Sequence, residues 1–266
     1  MNRGPKRESR VTLVYPNPAN SDAAAAASAS TAATSDVTKS PGWTVVVENG
    51  ISFGFDITKV MFCSGNVTER MRAGRICARG QVVVDLYCGI GYYTLPYLVH
   101  CGAGRVHACE WNPHSVAALR VNLEAAQVAN RCVIYEGDNA AEATQTALAN
   151  IADRVSLGLL PSSTSGWPLA VNALKCSGGV VHVHENVPAK NIEQWVQSCC
   201  AQFKHLFERK LQHYVGVGME KGCVENYSQQ AGATVSVTCT HIERVKSYAP
   251  RVTHIVADLT IIANSI

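Results

Sequence analysis

Short runs of β-branched residues alternate with longer stretches of helically spaced apolar residues through most of the chain. These patterns predict strands at 81–86, 106–110, 132–135, 155–160 and 179–184. They predict helices at 66–77, 113–127, 169–175 and 192–215. Two last strands, 234–245 and 254–262, are predicted to pair in an antiparallel manner. Such alternation is typical of an α/β three-layer sandwich with a doubly wound, Rossmann-like sheet.

The ends of this pattern divide the chain into three predicted parts. Residues 1–42 hold a basic start and a tract rich in alanine, serine and threonine, so a disordered low-complexity tail is expected. Residues 43–80 are predicted to form a hairpin that turns at Asn49-Gly50, followed by the first helix. The α/β domain occupies 81–266.

The segment VVVDLYCGIGYYTLP carries the strongest chemical signal. It predicts a buried strand that ends at Asp85 and a turn through Gly89 and Gly91, where the backbone can approach a ligand closely. The next strand ends in Glu110, 25 residues beyond Asp85, where a carboxylate can bind the two hydroxyls of a ribose. Together these residues predict an adenosine-bearing cofactor at the carboxyl edge of the sheet.

The glycine pattern narrows the type of cofactor. A nicotinamide enzyme normally has a third glycine where this chain has Thr94. The form D-x-x-x-G-x-G instead resembles the class I S-adenosylmethionine-dependent transferases, in which the turn faces the amino-acid part of the cofactor. Asp138 and Asn139 follow the third strand of the series and are candidates for holding the adenine, although such residues are also ordinary turn formers.

A second group of cofactor candidates lies upstream, in DITKVMFCSGNVTERMR. Arg70 is expected to pair with the carboxylate of the cofactor, because a guanidinium fork matches a carboxylate. Cys63 or Ser64 is expected to donate a hydrogen bond to the same group. The alternative is a helix cap with a solvated arginine.

The loop after the fourth strand is a candidate for substrate binding. In a doubly wound sheet this loop lies at the carboxyl edge, over the reactive end of the cofactor. A planar base is expected to contact Pro161, Ser162, Ser163 and Trp167, with Trp167 stacking on it. A lone tryptophan is more often part of a core, so this expectation rests on position.

The following strand, within VHVHENV, offers candidates for the chemistry. His182 and His184 alternate with valines and are expected to pack in the protein, since no third metal ligand has suitable spacing. Glu185 and Asn186, at the end of the strand, are the candidate catalytic residues.

Composition excludes several classes of protein. The chain of 266 residues is 47% hydrophobic and 16% charged, and no run approaches the ~20 apolar residues that span a bilayer. The net charge of +3 neither requires nor opposes a nucleic-acid partner. Eleven cysteines without a C-x-x-C pair favour reduced thiols in a cytoplasmic protein over a zinc site. Organelle targeting by the basic start stays open, but its prolines argue against the amphipathic helix that this needs.

Several segments together resemble the tRNA wybutosine-synthesising protein 2 family. They are FDITKVMFCSGNVTERMR, VVVDLYCGIGYYTLPYLVH, VHACEWNPHSVAALRVNLE, EGDN, LGLLPSSTSGWP and VKSYAPRVTHIVADL. The resemblance implies transfer of the 3-amino-3-carboxypropyl group of S-adenosylmethionine to 4-demethylwyosine at position 37 of phenylalanine tRNA, with release of methylthioadenosine. It also implies that the cofactor is bound by Cys63, Arg70, Glu110, Asp138 and Asn139.

The chain also departs from this family. Members carry further N-terminal domains that grip the tRNA, so either a partner protein supplies that grip, or the basic tail and catalytic surface suffice, or the reaction is altered. The family usually has serine at Cys63 and often lysine at Arg70. Two alternatives stay open: a tRNA guanine-37 methyltransferase, whose usual Asn-x-Pro-type motif is replaced here by LLPSS, and a non-catalytic module that binds tRNA or a partner enzyme.

Overall fold

Two compact units make up the described part of the chain. The structure, a computed structural model, describes residues 9, 11–12, 34–216 and 234–264. The first unit draws on 1–79 and 88–139, and the second on 80–87 and 140–266. Among the described residues, no helix has the length and apolar character needed to cross a membrane.

Strands and helices alternate along the described residues. The strands are β1 (Trp43–Glu48), β2 (Ile51–Asp56), β3 (Val82–Asp85), β4 (Arg105–Glu110), β5 (Cys132–Glu136), β6 (Arg154–Leu157), β7 (Gly178–Pro188), β8 (Thr234–Ala249) and β9 (Val252–Asn264). The α-helices are α1 (Thr34–Val37), α2 (Val67–Ala73), α3 (Thr94–Val99), α4 (Pro113–Ala125), α5 (Glu142–Leu148), α6 (Trp167–Ala173) and α7 (Ile192–Gly216). Every strand and helix predicted above is present, with shifted ends, and α3 follows the glycine turn. The short helices α1 and α5 were not predicted.

In the first unit, β1 and β2 form the predicted antiparallel hairpin. Asn49 and Gly50 both adopt positive φ, 50° and 73°, as a two-residue turn of this kind requires. The predicted tail, however, extends too far, since α1 begins at residue 34 and Ser40 donates a hydrogen bond to Asp56 at 2.6 Å. Most of the predicted tail lies outside the described residues.

Parallel pairing dominates the sheet. In the first unit β4 pairs with β5 in parallel, and α4 is capped at its start by Asn112, whose side chain accepts from the His114 N–H at 2.9 Å. Pro113 occupies the first helical position, where a missing N–H costs nothing. The predicted α/β class, with a mostly parallel sheet flanked by helices, is confirmed.

In the second unit the strand order is β3-β6-β7-β9-β8. The strands β3, β6 and β7 are parallel, whereas β9 runs antiparallel to both β7 and β8, as predicted for the last two strands. β7 continues to Pro188 because its end pairs with the start of β9, at Val252. Helix α7 packs on this end of the sheet through Ile192 and Val196, which contact Val187 and Ile255.

One buried side chain joins three elements of the first unit. The Asn122 side chain accepts from the Gly54 N–H at 2.7 Å and donates to the Gly54 and Ile90 carbonyls, each at 3.1 Å. It therefore links α4 to the hairpin and to the glycine turn. The Asn122 amide, the Gly54 N–H and the Gly54 and Ile90 carbonyls are all buried, where a missing hydrogen bond lowers the stability of the fold.

We predict that Asn122→Ala lowers the free energy of unfolding by about 2–3 kcal/mol, because backbone groups at Gly54 and Ile90 lose their partner. Urea denaturation followed by circular dichroism measures this change. The matched control, Asn130→Ala, removes an exposed asparagine and is expected to change it by less than about 0.5 kcal/mol. Equal midpoints for the two variants would contradict the role given to Asn122.

Candidate functional site

The glycine turn follows β3 and leads into α3. Gly89 has φ 57° and Gly91 has φ 101°, conformations that side chains rarely adopt. A Cβ added at Gly91 would lie only 2.9 Å from the Leu119 side chain of α4, so glycine also permits close packing there. The turn closes through hydrogen bonds from the Gly91 and Tyr92 N–H groups to the Cys88 carbonyl, at 2.9 and 3.2 Å.

Glu110 holds this turn from the end of β4. One carboxylate oxygen accepts from the Gly89 N–H at 2.9 Å, and the other accepts from the Asn112 N–H at 2.7 Å. Each carboxylate oxygen has a second lone pair, so the group can accept further hydrogen bonds from a ligand. The side chain is only partly buried, which leaves it accessible to one.

The end of β5 is tied to the same place. The Gly137 N–H donates to the Glu110 carbonyl at 2.9 Å, and Gly137 adopts φ 114°. Asp138 and Asn139 come directly after Gly137 in the sequence. Asp138 is exposed and Asn139 is partly buried. The structure therefore brings the glycine turn, Glu110 and this pair together within the first unit.

Arg70 was expected to offer its guanidinium to the carboxylate of the cofactor, but the structure pairs it within the protein. Its Nε and Nη2 donate to both carboxylate oxygens of Glu48, at 2.6 and 2.8 Å, and its Nη1 donates to the Cys63 carbonyl at 3.0 Å. The side chain is only 5% exposed. The sequence did not predict Glu48 as the partner of Arg70, because the two residues are 22 positions apart. The carboxylate at the end of the apolar run WTVVVE was a signal that Glu48 has a polar partner.

Tyr92 is a second residue that sequence reasoning missed. Its hydroxyl donates to the Met61 carbonyl at 2.6 Å, and the Arg70 guanidinium lies over the Tyr92 and Phe62 rings, 5.5 and 5.4 Å from their centroids. Burial raises the pKa of Tyr92, against the effect of the nearby Arg70 charge, so the hydroxyl stays protonated. These contacts fix the backbone of the segment that carries Cys63.

Cys63 and Ser64 follow in this fixed segment. Cys63 is half-buried and its carbonyl is engaged by Arg70, whereas Ser64 is exposed at the start of a short 3₁₀ turn. A hydrogen bond from either side chain to a cofactor stays a prediction.

Asp85 ends β3 in the second unit and is fully buried. It is aligned with Ser156 of β6, and the N–H of the following Leu86 donates to the Ser156 carbonyl at 3.1 Å. Asp85 is therefore a buried carboxyl group at the carboxyl end of β3.

In the second unit, the loop after β6 is joined to the end of β7. Ser162 Oγ donates to Glu185 at 2.9 Å, and the Asn186 N–H donates to the Pro161 carbonyl at 2.9 Å. Burial raises the pKa of Glu185, while hydrogen bonds from Ser162 and the Ser163 backbone act in the opposite direction. Four of the predicted residues therefore form one cluster, and Tyr87 of the turn packs nearby against Gly166.

Ser163 and Trp167 were expected to contact substrate, and the structure corrects both. Ser163 is fully buried, where its hydroxyl donates to the His184 carbonyl at 3.0 Å and accepts from the Trp167 indole at 3.3 Å. Trp167 is 4% exposed and its ring lies 4.9 Å from that of Phe203 of α7. Trp167 is a core residue because α6 and α7 pack around it.

The two histidines of β7 are packed, as predicted. His182 contacts Arg154 at 2.7 Å and Asp258 at 2.6 Å, and His184 contacts His254 at 3.2 Å. Among the described residues there is no group of three metal-ligating side chains. Burial lowers the pKa of His254 to about 4, so it is neutral at physiological pH.

Comparison with known proteins shows to which family this chain belongs. The model of the TRM5/TYW2 methyltransferase domain matches residues 44–212. The chain is 43% identical over 247 residues to the human tRNA wybutosine-synthesizing protein 2 homolog, covering 82% of this chain and 54% of that protein. It therefore spans about half the length of the curated relatives it matches.

Solved structures agree with this match. The structure of M. jannaschii TYW2 in complex with AdoMet has a TM-score of 0.67 and 26% identity, covering 84% of this chain and 87% of that one. Trm5b from Pyrococcus abyssi has a TM-score of 0.63 and 25% identity, covering 83% of this chain and 56% of that one. The chain belongs to the TRM5/TYW2 methyltransferase-domain family.

Proposed function

We propose that this chain transfers the 3-amino-3-carboxypropyl group of S-adenosylmethionine to 4-demethylwyosine at position 37 of phenylalanine tRNA. The proposal rests on the 43% identity between this chain and the human tRNA wybutosine-synthesizing protein 2 homolog. The family match, residues 44–212, also includes the glycine turn, Glu110, and the cluster around Glu185. The solved M. jannaschii TYW2 with AdoMet supports the choice of cofactor.

The residues of the first unit fit S-adenosylmethionine. The Glu110 carboxylate can accept hydrogen bonds from the two hydroxyls of a ribose. Asp138 and Asn139 follow Gly137, whose N–H donates to the Glu110 carbonyl. Gly89 has positive φ, and any Cβ at this position would lie 2.9 Å from the Tyr92 ring, so the turn requires glycine here. In this proposal the Met61–Cys63 backbone, fixed by Arg70 and Tyr92, adjoins the amino-acid arm.

The chemistry requires the cofactor to be held in one pose. Its sulfonium activates all three attached carbons, so the product depends on which carbon lies in line with the nucleophile. In the proposed step a base carbon bonds to the methylene of the amino-acid arm, the carbon–sulfur bond breaks, and the electron pair leaves with methylthioadenosine. The proton on the attacked base carbon passes to Glu185.

Glu185 is suited to that acceptor role by its surroundings. Its carboxylate receives hydrogen bonds from Ser162 Oγ and the Ser163 backbone, which hold it in one orientation. Its raised pKa makes it a stronger base than an ordinary carboxylate, since the ideal pKa lies nearer the working pH. Asn186 follows at the same strand end and is proposed to orient the base.

The first prediction concerns which group is transferred. With cofactor labelled separately in the methyl and the carboxypropyl carbons, we expect only the carboxypropyl label to enter phenylalanine tRNA that carries 4-demethylwyosine. Scintillation counting of the recovered tRNA measures this. Entry of the methyl label would favour the guanine-37 methyltransferase alternative, and entry of neither label, with intact cofactor binding, would favour a non-catalytic module.

The second prediction tests the cofactor contact. Glu110→Gln replaces one accepting oxygen by a donor, so S-adenosylmethionine binding measured by calorimetry is expected to weaken about tenfold to a hundredfold. Glu136→Gln is the matched control, because Glu136 ends β5 beside Glu110 in the strand register but is 50% exposed. Equal affinities for the two variants would refute the assignment.

The third prediction concerns the proton acceptor. Glu185→Gln is expected to lower kcat by about 10²–10⁴, whereas Glu193→Gln, an exposed control in α7, leaves kcat unchanged. The unprotonated carboxylate is the active form, so kcat should rise with pH through the raised pKa. Ser162→Ala removes a bond that stabilises the carboxylate and should move this limb to higher pH. An unchanged pH profile would contradict the role.

A further inference from the structure

The turn between β8 and β9 concentrates positive charge at one end of the second unit. The segments 186–191 and 244–254 contain Lys190, Arg244, Lys246 and Arg251 but no aspartate or glutamate. Lys190, Arg244 and Arg251 are exposed. In the described part of the chain, none of these three cations forms an ion pair. The acidic residues nearest to them in the sequence are Glu193 and Glu243, and Glu243 contacts His241.

Backbone contacts hold this charge in a defined place. The Ala189 N–H donates to the Arg251 carbonyl at 2.9 Å, which joins the short turn carrying Lys190 to the hairpin end. Pro188 is aligned with Val252, and Val252 with Ala249, so both turns end at the same level of the sheet. Lys190 and Arg251 therefore lie on two short turns at one end of the sheet, and Arg244 lies on β8, aligned with Ile255 of β9.

An exposed aromatic side chain belongs to the same surface. The register of β8 against β9 shifts between Ser247 and Ala249, which leaves Tyr248 in a bulge without a cross-strand partner. Tyr248 is 57% exposed, unlike most large side chains of the protein. Aromatic rings beside cations are a frequent arrangement for binding single-stranded nucleic acid, because bases stack on the ring and phosphates pair with the charges.

The position of this surface relative to Glu185 suits an RNA substrate. Glu185 lies on β7, aligned with Ile255, and three residues further both strands reach Pro188 and Val252. At about 3.3 Å per residue the distance along the strands is about 10 Å. A nucleotide held beside Glu185 would place its neighbours against the cations.

We propose that Lys190, Arg244, Tyr248 and Arg251, here called the basic tip, bind the RNA strand that flanks the modified nucleotide. The inference rests on the proposed function for the identity of the RNA, and it adds the surface that receives it. The cations bind phosphates and set affinity without reading sequence, while Tyr248 stacks on an unpaired base.

The test compares two triple variants of equal charge in the full chain. One is Lys190→Ala with Arg244→Ala and Arg251→Ala. The control is Arg105→Ala with Lys204→Ala and Arg209→Ala, which also removes three exposed cations. Fluorescence anisotropy measures the Kd for phenylalanine tRNA at several salt concentrations, and calorimetry measures S-adenosylmethionine binding to check the fold.

The basic-tip variant is expected to bind tRNA at least about tenfold more weakly than the control and to lose about 2 from the slope of log affinity against log salt. Its affinity for S-adenosylmethionine should equal that of the wild type. Tyr248→Ala should weaken tRNA binding more than Tyr248→Phe, since only the former removes the ring.

Equal tRNA affinities and slopes for the two triple variants would overturn the proposal. A basic-tip variant that loses binding to vesicles of anionic lipid but keeps its tRNA binding would also overturn the proposal, because the surface would then be a membrane contact. Carboxypropyl labelling by the wild type separates this outcome from failure of the proposed function. If the label is transferred while the basic-tip variant binds tRNA normally, the docking surface alone is wrong.

Discussion

The carboxylate of Glu110 sets the geometry on which the first unit depends. Its two oxygens accept hydrogen bonds from Gly89 in the turn and from Asn112 at the start of α4. Hydrogen bonds to a charged acceptor are stronger than neutral ones, so this one side chain fixes both segments against the end of β4. Asn122 then carries the constraint from the turn to the hairpin, through Ile90 and Gly54. The loop that we propose to bind the cofactor is thus held in place by hydrogen bonds within the protein.

Local signals explain what the sequence predicted well. The Asn49-Gly50 pair requires left-handed backbone, the glycine turn requires positive φ at Gly89 and Gly91, and the long apolar periodicity of α7 has no competing interpretation. The structure brings Glu110 to the turn, as its spacing indicated, through the hydrogen bond that the Gly89 N–H donates to it. In these cases the information lies within a few residues.

Partners distant in the sequence explain what could not be predicted. Arg70 pairs with Glu48 across 22 residues, and the motif around Arg70 contains no trace of that partner. Trp167 looked like a stacking platform because of its loop, but Phe203 of α7 packs on it from 36 residues away. Burial of a guanidinium or an indole is decided by tertiary packing, so the local pattern was compatible with either role.

The second unit has a hydrogen-bonded polar interior along β7. His182 is fixed by Arg154 and Asp258, and His184 by His254, so the histidine alternation of β7 serves the interior of the sheet. Where β7 passes beyond its pairing with β6, it carries Glu185, a carboxyl group whose pKa is raised by burial. We therefore propose this strand end, beside the loop bearing Ser162, as the place of the chemistry.

We propose that this scaffold delivers the carboxypropyl arm of its cofactor to a modified guanine in tRNA. Mass spectrometry of position 37 in phenylalanine tRNA from cells lacking the protein tests it most directly. We predict that modification stops at 4-demethylwyosine and resumes when the wild-type chain is restored. Normal wybutosine in those cells, or an unmodified guanosine at position 37, would contradict the account.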